Sequence, residues 1–93
     1  MRAIHQFVAG FAGGDAISNE VLALQAIFRG WGAASDIFCE TRRIMPQLRP
    51  LAHDLGEAAA LVRPDDIAFL HLSIGGRVNE CFTSLPCRKA LLY

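Results

Sequence analysis

The chain opens on a strand-like run, residues 2–9, that breaks at Gly10, Gly13 and Gly14 and then resumes with a different period. From Ala16 on, Ile17, Val21, Leu24, Phe28 and Trp31 recur at steps of three and four, which predicts a helix over residues 16–29 with one apolar face. Gly30 and Gly32 end it, and residues 35–39 (Ser-Asp-Ile-Phe-Cys) read as a second strand. A strand, a crossover helix and a strand make a parallel unit with a right-handed connection. Residues 40–50 are polar and carry Pro46 and Pro50, and a short helix is expected over residues 51–55. The apolar run 58–62 fits either a helix turn or a third strand, because a run of that length does not separate the two. Pro64-Asp65-Asp66 is turn chemistry leading into residues 67–72, a continuous apolar run of the kind found in strands buried on both faces. Ser73-Ile74-Gly75-Gly76 breaks that strand, a short helix is expected over residues 78–83, and residues 88–93 read as a last strand. The fold class expected is α/β: a small Rossmann-like parallel sheet in the order 3-2-1-4-5, with flanking helices.

Composition sharpens this picture at a few points. Ninety-three residues make one small domain, yet 53% of them are hydrophobic, which points to surface meant to be covered by other polypeptide. Nine basic and nine acidic side chains give a formal charge of zero and no basic stripe, against a general nucleic-acid binder. No apolar run approaches the roughly 20 residues of a membrane span and no signal-peptide layout is present, so the expected location is cytoplasmic. Cys39, Cys81 and Cys87 are odd in number and lack CxxC spacing, so neither a disulfide framework nor a zinc site is indicated.

The chemistry gathers at the glycines. A helix that starts directly after a glycine loop offers free N–H groups and a partial positive charge, to which phosphate is suited. Gly13 and Gly14 leave room for a ligand, and Asp15 is placed to cap the helix. A tight strand-to-helix turn needs the same residues with no ligand at all, so the junction by itself leaves both readings open. In an open parallel sheet the binding crevice lies beyond the carboxyl ends of the strands. The loops at 10–14 and 75–76 would line one cleft in the expected order, with His71, Ser73, Asn19 and Asp15 converging on it. His71 ends an apolar strand, where an imidazole can serve as a base or a hydroxyl partner, or can equally be a core histidine bonded to a backbone carbonyl. His5 and Gln6 read as structural and His53 as exposed. The spacing G-x-x-G-G departs from the dinucleotide fingerprint, although Glu40 stands where a ribose-binding acid would be expected. No phosphate-loop lysine motif, nucleophile elbow or metal-ligand spacing is present, so no metal or resident cofactor is expected.

Four stretches together resemble the start of a bacterial glycosyltransferase: His5-Gln6-Phe7; Gly14-Asp15-Ala16-Ile17-Ser18-Asn19 with the helix Val21-Leu22-Ala23-Leu24-Gln25; Asp65-Asp66-Ile67 running to His71-Leu72-Ser73-Ile74-Gly75; and Leu85-Pro86-Cys87-Arg88-Lys89-Ala90-Leu91-Leu92-Tyr93. The family it is similar to is the group-one, retaining, nucleotide-sugar-dependent transferases of the two-domain GT-B architecture. The resemblance covers nearly the whole chain and implies an acceptor-side N-terminal domain, an incomplete half whose C-terminal partner domain would bind the nucleotide. It implies Gly13 and Gly14 at the donor diphosphate with Asp15 and Asn19 ordering the loop, His71 as the catalytic candidate on the acceptor side, and Ser73 and Gly75 at the acceptor. Ser18 stands where such loops also carry glycine. The implied partners are a nucleoside-diphosphate sugar and an acceptor hydroxyl, with peripheral membrane contact for the full enzyme and no activity for this chain alone. The competing class is a non-catalytic nucleotide- or dinucleotide-binding module of Rossmann type. One further expectation concerns the sheet faces: the crossovers to strands four and five leave their face thinly clad. The chain should then self-associate near its last strand through Leu91, Tyr93, Phe82 and Leu85.

Overall fold

The computed structural model describes residues 2–14, 16–71 and 77–92. Among these, five strands form one all-parallel sheet in the order β3-β2-β1-β4-β5: β1 Ile4–Phe7, β2 Ile37–Cys39, β3 His53–Asp54, β4 Ile67–His71 and β5 Arg88–Leu92. The helices are α1 Ala16–Gly30, α2 Ala58–Leu61 and α3 Arg77–Thr83, and 3-10 turns occupy Thr41–Arg43, Pro46–Leu51 and Leu55–Glu57. This is the Rossmann-like α/β layout that the alternation of runs predicts.

The register sorts the side chains onto two faces. Gln6 pairs with Ile37 and Phe69, and Phe7 pairs with Phe38 and Leu70. Gln6 and Val8 therefore turn to the face that α1 covers, where Val8, Phe11, Val21, Ile37, Cys39 and Ile44 form one core. Phe7 turns to the opposite face, under α2 and α3, where a larger core gathers Phe7, Phe38, Leu55, Ala58, Val62, Leu70, Phe82 and Leu85. Phe7 stacks on Phe38 at 4.9 Å and meets Phe82 edge-on at 5.8 Å. The face expected to be thinly clad is thus the better filled one. Phe82 and Leu85 are core residues, unavailable for an intermolecular contact, while Leu91 on β5 is 50% exposed. The bare area lies on the other face: Ile67 and Phe69 of β4 are only half-buried, so this strand is not sealed on both sides.

Local chemistry explains where the elements shift from their expected places. The third strand is His53–Asp54, only two residues, and not the apolar run 58–62, whose part Ala58–Leu61 is helical. The helix expected over 51–55 does not form: a 3-10 turn at Pro46–Leu51, opened by Pro46, ends where it was to begin, and His53–Asp54 are strand β3. Asp54 closes β3 and caps the next turn: its carboxylate accepts from the Gly56 N–H at 2.9 Å, while Glu57 accepts from the Asp54 N–H at 3.0 Å.

The buried side of α1 is Ser18, Val21, Gln25 and Phe28, while Ile17 and Trp31 of the expected stripe are 50% and 71% exposed. The stripe is displaced because two polar residues on the inner face have backbone groups to satisfy. Ser18 Oγ accepts from the Ala12 N–H at 3.0 Å, and Gln25 Nε2 donates to the Ser35 carbonyl at 2.9 Å.

Candidate functional site at the carboxyl edge of the sheet

The loop after β1 is sewn to the loop after β2. Phe11 N–H donates to the Arg43 carbonyl at 3.0 Å and the Met45 N–H donates to the Phe11 carbonyl at 2.8 Å. With Phe11 fully buried as an anchor, the next residues are lifted to the surface, and both Gly13 and Gly14 are exposed. Gly14 has φ +87°, which an L side chain rarely adopts, and a Cβ placed there would touch nothing within 4 Å. A Cβ on Gly13 would meet only Met45 Sδ, at 4.0 Å. The backbone here is open to solvent beside the start of α1, as a ligand-binding turn requires. The hydroxyl that ties this loop to the helix is that of Ser18; Asn19 is exposed on the side of α1 turned away from the sheet. Asp15, Ser73 and Gly75 lie outside the described residues, as do Gly76 and Tyr93.

His71 is described, and it is held by a relay. Its Nε2 lies 2.8 Å from Gln6 Oε1, and Gln6 Nε2 donates to the Val21 carbonyl of α1 at 2.9 Å. Because the Gln6 amide must present its nitrogen to a carbonyl, its oxygen faces the histidine and accepts from Nε2–H. The tautomer follows: Nδ1 carries the ring's lone pair. Only 6% of His71 is exposed, and burial holds its pKa below the usual imidazole value, against the opposing pull of the Glu20 carboxylate. At neutral pH the ring is uncharged, an acceptor at Nδ1. Gln6, fully buried within the sheet, connects β4, β1 and α1 through this relay, so its structural role extends to fixing the candidate base. A polar residue amid an apolar strand was the only sign of it in the sequence.

Glu40 follows β2 and lines a cavity of about 300 Å3 with Thr41, Arg42, Asp54, Gly56 and Arg77. Its carboxylate accepts from Arg42 Nε at 2.9 Å and has Arg43 Nε at 3.9 Å. The hydrogen bond from Arg42 holds its pKa below the ordinary range. An acid already engaged by an arginine has less freedom to grip a ribose diol than the dinucleotide reading needs. Asp54 is likewise occupied: Thr41 Oγ1–H at 2.8 Å and the N–H groups of Gly56 and Thr41 hold its carboxyl low.

At the opposite, amino edge of the sheet a second polar cluster is fully engaged in structure. Asp66 accepts from the N–H groups of Arg63 at 2.8 Å and Ala3 at 3.0 Å, with His5 Nε2 at 3.3 Å. Burial alone would raise its pKa, but those N–H groups and the adjacent His5 bring it below the usual carboxylate value. The Asp36 N–H donates to His5 Nδ1 at 3.3 Å, so both ring nitrogens are taken. His53, half-buried, stacks on Phe38 at 5.4 Å.

Compared with known families, curated proteins and solved structures, the chain matches none. Among the described residues no group of three or more His, Cys, Asp or Glu is placed to hold a metal ion. Burial raises the pKa of all three thiols, that of Cys39 to about 11, which disfavours their thiolate forms. Among the described residues no helix is long and apolar enough to cross a membrane.

Proposed function

We propose that this chain is the acceptor-side Rossmann-like domain of a retaining glycosyltransferase that moves a sugar from a nucleoside-diphosphate sugar to an acceptor hydroxyl. The observation that carries the reading is the pairing of an open glycine turn with a neutral, tautomer-fixed His71, both held by the first turns of α1. In this arrangement the N–H groups around Gly13 and Gly14 face the diphosphate, where negative charge builds as the sugar leaves. His71 Nδ1 accepts a hydrogen bond from the acceptor hydroxyl, orienting its oxygen toward the sugar, while Gln6 keeps the ring from turning. Glu40 and its arginines border the same edge and leave the nucleotide to a second domain. The residue pattern shared with group-one transferases supports the same assignment.

An open edge forms only one wall of a cleft, so the isolated chain should bind donors weakly and transfer nothing. Amide NMR of the chain titrated with UDP-, GDP- and ADP-sugars tests this. At least one donor is expected to shift the amides of residues 12–14 and the His71 ring with a Kd on the order of 1 mM, and Gly13→Val is expected to remove the shifts. No shift at this loop with any donor overturns the assignment. Low-micromolar binding of a donor overturns the one-wall arrangement, and low-micromolar binding of a dinucleotide favours a non-catalytic nucleotide module.

A further inference from the structure

The outer flank of α1 that looks toward β4 and β5 is apolar and uncovered. Ile17, Ile27 and Trp31 are 50%, 48% and 71% exposed, with Leu24 half-buried between them. The direction of this flank is set by contacts. Phe28 stacks on Phe69 of β4 at 5.6 Å and touches Trp31 at 5.6 Å, while Arg29 and Gln25, farther round the helix, bond to Ser35 before β2. The floor beside it is the half-buried Ile67 and Phe69, with Ala90 of β5 in register with Phe69. Among the described residues no helix lies over this part of the sheet. The result is a trough running the length of α1.

Its charges are arranged in opposition. Glu20 stands on the same flank at the carboxyl end of the sheet, beside His71. Arg2, which lines a hollow with Trp31, and exposed Arg88, in register with Ile67, stand at the amino end. A two-fold axis through the trough, with the two α1 helices antiparallel, brings the acidic end of each copy to the basic end of the other. From this self-complementarity we infer that the trough is the interface of a homodimer built on α1, separate from the free edge of β5. A specific interface needs about 600 Å2 from each copy, roughly a tenth of the chain's surface of 5457 Å2.

Trp31 is the sole tryptophan, so its emission reports the contact directly. Sedimentation equilibrium of the full chain between about 1 and 100 μM should show a monomer–dimer equilibrium, with Trp31 emission moving to shorter wavelength and losing access to acrylamide as dimer forms. Ile27→Glu, at an exposed helical position, should weaken dimerisation by about tenfold or more while circular dichroism stays unchanged. Glu20→Arg should weaken it as well, and adding Arg88→Glu should restore it. The interface is overturned if the chain stays monomeric at about 100 μM, or if Leu91→Lys on the β5 edge dissolves the dimer while Ile27→Glu leaves it intact. Failure of the charge-swap rescue with a dimer that Ile27→Glu still dissolves overturns the antiparallel two-fold arrangement.

Discussion

Gly13 and Gly14 stand side by side in one loop and tolerate a side chain differently. Gly13 has a φ open to any residue and only Met45 Sδ nearby, so Gly13→Ala should change stability by less than about 1 kcal/mol, with the unfolded chain losing freedom too. Gly14 has φ +87°, so Gly14→Ala should destabilise by about 1–2 kcal/mol although space is plentiful. Urea denaturation of the two variants checks this, and equal losses at both positions would contradict the loop geometry. The contrast also separates roles in the proposed site, since Gly13→Ala alters ligand space with the backbone intact. Neither the φ of Gly14 nor the Ser18 clamp was legible in the sequence. A G-G pair announces a turn, but which glycine bears the positive φ is set by how Phe11 and Ser18 pin the loop on either side.

At the scale of elements, α1 shows how a helix is bounded and aimed. It ends at Gly30, and the chain then turns through Gly32 at φ +89°, where the Ala33 N–H donates to the Phe28 carbonyl at 3.2 Å and the Gly32 N–H to the Arg29 carbonyl at 3.0 Å. Gly32→Ala should therefore lower stability by about 1 kcal/mol with no effect on ligand binding, measurable as a shift in urea midpoint at constant slope. The end of α1 was readable from Gly30 and Gly32. Its orientation was not, because the buried side keeps only Val21 and Phe28 of the apolar stripe and adds Ser18 and Gln25. Ser18 and Gln25 occupy inward positions to satisfy the backbone of Ala12 and Ser35, and those partners are fixed only when the strands are assembled. The third strand was hidden for a related reason: two residues, His53 and Asp54, carry no periodicity, and they become a strand by pairing with Phe38 and Cys39.

On the scale of the whole molecule, buried acid and base groups set its response to pH. His71 has a folded pKa below the ordinary imidazole value near 6.5, so its contribution is complete above about pH 6.5 and is lost as the pH falls through the folded value. Asp66 has a folded pKa below the ordinary value near 3.9, so its contribution is whole above about pH 4 and is lost on further acidification. Acid unfolding should begin below about pH 6.5 and steepen below about pH 4. In a pH series of urea melts, His71→Gln should flatten the first slope, and Asp66→Asn should reduce the second without abolishing it, because Asp54 and Glu40 are held low as well. A single transition unaffected by either change would contradict these assignments. The two groups sit at opposite edges of the sheet and, among the described residues, share no hydrogen-bond partner, which is why their effects should add.

The sequence by itself determined the alternation of the longer strands and helices, the glycine turn after β1 and the polar residues in β1 and at the end of β4. All of these rest on local periodicity and on backbone freedom, which neighbours in the chain already encode. Tertiary structure alone decided that Gln6 fixes the tautomer of His71, that Glu40 and Asp54 are occupied by their own neighbours, and that α1 turns an apolar flank to solvent. It also decided which sheet face is sealed, since Phe82 and Leu85 find Phe7 and Leu70 only after β4 and β1 are paired. For Gln6, His71 and the core side chains the physical reason is the same: each is satisfied by whichever partner the assembled sheet brings near it, as Gln6 meets His71 across the β1–β4 pairing.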